Sequence, residues 1–118
     1  MARASTEEVI EYVQDKVAEE SLQKYVEMDI SSSSLHSYTL SLDRIQSTVR
    51  GQGYAEKALK ILTYFADMYK CTVTLLLHCL DEHTDAKRLK HWYEKHGFVE
   101  VRSELGNGTQ MVRPWRSI

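Results

Sequence analysis

The stretch Val49-Arg50-Gly51-Gln52-Gly53-Tyr54-Ala55 constrains this chain more than any other. Two glycines one residue apart let the backbone turn tightly and come close to a ligand, because neither carries a Cβ. Beyond them Ala55, Ala58, Leu59, Leu62, Phe65, Ala66 and Tyr69 recur at three- and four-residue steps, which is one face of an amphipathic helix. Upstream, Tyr38, Leu40 and Leu42 alternate with the period of a strand. A strand, a glycine turn and a helix in that order aim several N–H groups, and the positive end of the helix dipole, at one point. A phosphate suits that point. Two common phosphate loops are excluded: no Gly-Lys-Ser/Thr ending follows, and a dinucleotide fingerprint would need a third glycine near Glu56. A tight turn that binds nothing is the plain alternative.

The pattern resembles a known family. Arg50-Gly51-Gln52-Gly53-Tyr54-Ala55 is similar to the Arg/Gln-x-x-Gly-x-Gly/Ala signature of the GNAT superfamily of acyl-CoA-dependent N-acetyltransferases. Further along, Trp92-Tyr93-Glu94-Lys95-His96-Gly97-Phe98 resembles the aromatic-Tyr-Glu-Lys-x-Gly-Phe ending of that family's last helix. Two motifs in the right order, with a strand-like run between them, are more specific than either alone. The resemblance covers about residues 38–115 and leaves the first 35 residues unmatched.

At 118 residues the chain suits one domain and is too short for two. The division expected is a core over 36–115 that binds acyl-CoA, preceded by an N-terminal segment over 1–35. A formal charge of −2 does not suit a binder of polyanions. Cys71 and Cys79 lie in or beside an apolar run without paired Cys/His spacing, so reduced, buried thiols in a cytoplasmic protein are expected and zinc is not. Residues 1–20 are too charged for a signal sequence, and the apolar run Val73–Leu80 is broken by Thr74 and His78, so no membrane segment is expected.

Ser5 or Thr6 ahead of Glu7 and Glu8 makes a helix start, and Val9, Ile10, Val13 and Val17 give it an apolar stripe. Tyr25–Ile30 fits either a strand or a continuation of that helix. Ser31–Ser34 read as a turn. The strand after His36 holds more information, since Leu42 and the next apolar residue, Ile45, have opposite parity. Either the strand is apolar on both faces, or an extra residue near Asp43-Arg44 forms a β-bulge. Cys71–Cys79 is almost continuously apolar, as expected of a strand covered on both faces and parallel to the one before the helix. Thr84 or Asp85 can cap a helix carrying Ala86, Leu89 and Tyr93 on one face, and Gly97 suits its end. Phe98–Val101 and Met111–Trp115 flank Gly106-Asn107-Gly108, a hairpin signal. The fold class expected is α/β (α+β): a GNAT-like mixed, mostly antiparallel sheet with a splayed parallel pair and helices on both faces.

The resemblance implies the chemistry: transfer of an acetyl group from acetyl-CoA to an amine of an unidentified acceptor, directly in a ternary complex. It implies that backbone N–H groups across Arg50, Gly51, Gln52, Gly53, Tyr54 and Ala55 hold the CoA diphosphate. The main chain at Ile45 would face the acyl carbonyl, and Tyr93 would donate a proton to the departing thiolate. Arg50 is either an extra charge at the phosphate or a solvated loop cation. Glu27, His36, Asp43 and His78 all compete as the base, and the pattern does not choose among them. The chain has Ala86 and Leu89 where the family often has Asn and Ala, which leaves a non-catalytic binding module on the same scaffold as the alternative. Lys87, Arg88, Lys90 and Lys95 alternate with Glu94 and follow Glu82 and Asp85, so a solvated helix face is favoured over nucleic acid. Small members of the family pair through sheet edges, so a homodimer is one further expectation of the resemblance.

Overall fold

The computed structural model describes residues 4–33, 38–49, 51–77, 86–101 and 109–116. The first helix, α1, spans Thr6–Glu19 and begins as the sequence suggests. The Ser5 hydroxyl accepts from the Glu8 N–H at 3.2 Å, and the Glu8 carboxylate accepts from the Ser5 N–H at 3.2 Å. This reciprocal capping box satisfies two donors that the helix itself cannot. Val9, Val13 and Val17 form the buried stripe of α1.

After a 3₁₀ turn at Leu22–Lys24, strand β1 spans Val26–Ser32 and β2 spans Thr39–Ser47. The ambiguous segment from Tyr25 is thus a strand, and Ser31 and Ser32 extend it where a turn was expected. Their Cα atoms pair with Ser41 and Leu40, and the β2 ladder outweighs the turn preference of serine. Helix α2 spans Tyr54–Met68, β3 Thr72–Leu77, α3 Ala86–Lys95, β4 Val99–Val101 and β5 Thr109–Arg113. The sheet order is β1-β2-β3-β5-β4. Only β2 and β3 run parallel among these neighbours; β1–β2, β3–β5 and β4–β5 are antiparallel. The hairpin residues 106–108 and the caps expected at Thr84 or Asp85 lie outside the described residues.

Register places Val26, Met28 and Ile30 of β1, Leu40 and Leu42 of β2, Val73 and Leu75 of β3, and Met111 of β5 on one face. Val9 and Val13 of α1 and Leu59, Leu62 and Ala66 of α2 complete the core on that side. The polar contacts of the helices run the same way. Ser32 donates to Glu7 of α1 at 3.0 Å, Arg113 binds Asp67 of α2, and Glu100 pairs with Lys90 of α3. The sequence pattern divided the helices between both faces, whereas these contacts bring all three to one. For the same reason β3 is not covered on both sides, and Leu76, pointing to the opposite face, is 39% exposed.

Two features hold the helices on the sheet. Arg113, only 5% exposed, gives the Asp67 carboxylate two parallel bonds of 2.7 and 2.9 Å and donates through Nε to the His96 carbonyl at 2.7 Å. One guanidinium therefore ties the end of α2 to the turn after α3. At that turn Gly97 has φ +94, and a Cβ there would stand 3.1 Å from Arg113 Nε, so backbone and space both require glycine.

Candidate functional site

The β-bulge anticipated near Asp43-Arg44 is present, and it builds the site. In the β1–β2 ladder Asp29 pairs with Arg44 and the next residue, Ile30, pairs with Leu42. Asp43 is the extra residue, so Leu42 and Ile45 both turn toward the core despite opposite parity. The parallel β2–β3 pairing runs from Thr39↔Thr72 to Leu42↔Leu75 and stops at this bulge. Beyond it β2 follows β1 and β3 follows β5, so the two central strands separate.

A cleft of about 410 Å³ occupies the separation, walled by Leu42, Asp43, Ile45, Leu75, Leu77 and Tyr93. That size is within the usual range of small-molecule sites. Tyr93 and Leu89 enter from α3, on the helix-bearing side. The Tyr93 ring is 7% exposed and meets Phe98 edge-on at 5.5 Å. Burial pushes its phenol up to about 12, so the hydroxyl keeps its proton at neutral pH. Its hydroxyl has no hydrogen-bond partner among the described residues.

The β2 strand runs from this cleft into the glycine turn. Gly51 has φ +80 and Gly53 φ +71, a left-handed conformation that only glycine adopts without strain. A Cβ on either would meet no atom within 4 Å, so the space beside both glycines is open. Gly53 caps α2 without a side-chain bond, and the first helical bond runs from the Lys57 N–H to the Gly53 carbonyl. Among the described residues the N–H groups of Gly51, Gln52, Gly53, Tyr54 and Ala55 are not spent on the protein's own acceptors. Arg50 lies outside the described residues.

One support of this turn carried no sequence signal. Tyr25 stacks on Tyr54 with centroids 4.4 Å apart and planes 12° off parallel, and its carbonyl accepts from the Thr48 N–H at 2.8 Å. The first residue of α2 and the residue that follows β2 are thereby tied to the same tyrosine.

Of the four residues considered for proton removal, His36 and His78 lie outside the described residues. Glu27 is engaged by Arg44 at 2.7 Å. Asp43 lines the cleft. Cys71 is buried, its thiol 3.7 Å from the Tyr69 carbonyl, and Cys79 lies outside the described residues. No helix among the described residues is long and apolar enough to cross a membrane.

No family model matches the chain, and neither does any curated protein sequence. Solved structures do. PH1933 from Pyrococcus horikoshii superposes with a TM-score of 0.60 at 17% identity, over 78% of this chain and 59% of that one. An acetyltransferase from Thermus thermophilus gives 0.60 at 16%, over 76% and 56%. Naa50 of Arabidopsis thaliana, in complex with the bisubstrate analogue CoA-Ac-MVNAL, gives 0.57 at 12%, over 76% and 64%. The fold is that of the GNAT acetyltransferases. The chain spans less than two thirds of the length of each of these three proteins. Identities this low establish the GNAT-like architecture alone. The splayed pair, the glycine turn and Tyr93 each stand on this chain's own geometry.

Proposed function

We propose that the protein is an N-acetyltransferase that takes an acetyl group from acetyl-CoA and passes it directly to an amine. The observation that carries this reading is the set of uncommitted N–H groups at Gly51–Ala55, at the start of α2 and in the turn that follows the strand walling the cleft. They suit a diphosphate, which backbone donors and the helix dipole bind without any particular side chain. Acetyl-CoA supplies an acyl group already activated as a thioester.

The residues of the chain then have distinct tasks. The turn at 51–55 holds the diphosphate, and the narrow apolar walls at Leu42, Leu75 and Leu77 exclude water around the thioester arm. The main chain at Ile45, beside the break in the ladder, faces the acyl carbonyl. The Tyr93 hydroxyl gives its proton to the sulfur as the C–S bond breaks and the C–N bond forms. A proton released by the acceptor nitrogen reaches solvent, and another returns to the phenolate. Naa50, solved with an analogue joining CoA to a peptide, supports an acceptor that bears an amine.

Two measurements test this. Acetyl-CoA should raise the melting temperature, as any ligand selective for the folded state does. Tyr93→Phe should lower turnover about 100-fold or more, the usual size of a lost general acid, and leave acetyl-CoA affinity within a factor of about two. No melting shift at saturation refutes the cofactor assignment. Acetyl-CoA binding with no transfer to any amine supports instead a binding module on the same scaffold, a reading to which Leu89 in the cleft wall lends weight.

A further inference from the structure

We propose that the groove between α1 and α2 binds a small carboxylate with an apolar body. Such a site is independent of acyl transfer, because the groove and the cleft in the sheet share no lining residue.

Helix α2 carries two apolar stripes. Leu59, Leu62 and Ala66 go to the core against the sheet. Ile61, Tyr64 and Phe65 follow the same three- and four-residue steps on a neighbouring face, and there they wall a groove of about 450 Å³ beside the end of α1. Tyr64 meets Phe65 edge-on at 5.4 Å and is still 53% exposed. One turn earlier on the helix stand Lys57, ahead of Ile61, and Lys60, ahead of Tyr64. The groove therefore has a cationic end and an apolar end along one axis. That polarity suits a guest with an anionic head and an apolar body.

The charges leave two cations for that head. Three lysines and one glutamate line the groove, in a protein whose formal charge is −2. Lys16 is engaged by Glu19 at 3.4 Å and by Glu20 at 3.9 Å, which also accounts for the glutamate. Lys57 lies 5.8 Å from the centroid of the Tyr54 ring. Neither Lys57 nor Lys60 has a carboxylate within ion-pairing distance among the described residues. A carboxylate accepts on two oxygens and can take both ammonium groups. Size argues for a small molecule: the volume is ordinary for a ligand site. A stable protein partner engages about 20–30 residues a side, whereas seven residues line this groove.

Isothermal titration calorimetry tests the site with decanoate, 4-phenylbutanoate, butanoate and decyltrimethylammonium. We expect decanoate or 4-phenylbutanoate to bind at one site, the tighter of the two showing whether the body is alkyl or aryl. Butanoate, with the same head and little body, should bind about tenfold more weakly or worse. Decyltrimethylammonium should not bind. The double variant Lys57→Gln, Lys60→Gln should raise Kd about tenfold or more, as for lost hydrogen bonds between charged groups. Its melting temperature without ligand should match the wild type, because both side chains are exposed. Tyr64→Ala should raise Kd about threefold or more through lost apolar contact. Saturating acetyl-CoA should leave Kd unchanged within about twofold, as for sites with no shared partner.

Failure of both long carboxylates to bind overturns the proposal, as does equal binding of decyltrimethylammonium or an unchanged Kd in the double lysine variant. Displacement by acetyl-CoA would give the groove to the cofactor and overturn it as well. Self-association in sedimentation that Tyr64→Ala abolishes would give the groove to a second copy of the chain, with the same consequence.

Discussion

Gly53 separates a backbone requirement from a ligand requirement. At φ +71 and ψ 18 it is left-handed, and a Cβ there would touch nothing within 4 Å. Gly53→Ala therefore introduces no clash, and its effect on stability is conformational alone. A left-handed L residue costs about 1–2 kcal/mol, and the stiffer unfolded chain returns about 0.4–1 kcal/mol. The net loss should be close to 1 kcal/mol, or roughly 4 °C in a domain of this size. Gly53→Asn should lose less, because asparagine tolerates this conformation better. Ligand binding should behave differently, since either side chain occupies the open space where the diphosphate would approach. At about 100 times Kd, acetyl-CoA should stabilise the wild type by about 2.7 kcal/mol. We expect that gain to be largely lost in both variants. Thermal melts of the three proteins, with and without acetyl-CoA, read both effects. An Ala variant that melts like the wild type refutes the strain argument. An Asn variant that keeps the full ligand shift refutes the assignment of the site.

The other predictions concern what holds the site. Asp67→Ala should cost about 3–5 kcal/mol in a denaturant titration, because it leaves Arg113 buried and charged beside no carboxylate; a loss below about 1 kcal/mol would contradict the geometry. Burial pushes the His96 imidazole below its ordinary value, aided by Lys60 and Arg113, and the Glu56 carboxylate at 3.4 Å does not fully offset this. The folded state thus favours neutral His96, so stability should be complete above the unfolded histidine value of about 6.5 and fall as pH drops below it. Denaturation midpoints between pH 7.5 and 5.5 should show that decline, and His96→Gln should flatten it.

Much of this architecture is legible in the sequence because period and parity are local properties. The step from Leu42 to Ile45 cannot be an unbroken strand with one apolar face, and that arithmetic located the bulge to within a residue. Ser5 with Glu8 signalled the start of α1 equally locally. Sidedness is not local. The run Thr72–Leu77 carries apolar residues of both parities, Leu75 and Leu77 as well as Leu76, so nothing in it tells which face a helix will cover, and Leu76 is exposed. Nor does any spacing announce that Asp67 and Arg113 form a buried pair, since each looks in isolation like a solvated charge. The Tyr25–Tyr54 stack is hidden for the same reason: the two rings meet only after β1 and β2 have paired.

The bulge explains why the cleft and its charge arise together. Remove the one extra residue from β2 and the ladder to β1 becomes regular, Ile45 changes face, and the parallel pair loses the break at Leu42↔Leu75. The same removal would take away the Asp43 carboxylate, or return its position to a side fixed by the pleat. Opening the sheet and presenting an anion at the opening are thus consequences of one inserted residue. The clamp of Arg113 on Asp67 and His96 then holds α2, which begins at the glycine turn, against α3, which carries Tyr93. That clamp sets the glycine turn and Tyr93 relative to each other on the helix side, while Ser31 of β1 and Ser41 of β2 fix Asp43 on the other face. The two sets of contacts can therefore be altered separately by substitution, because different elements hold them.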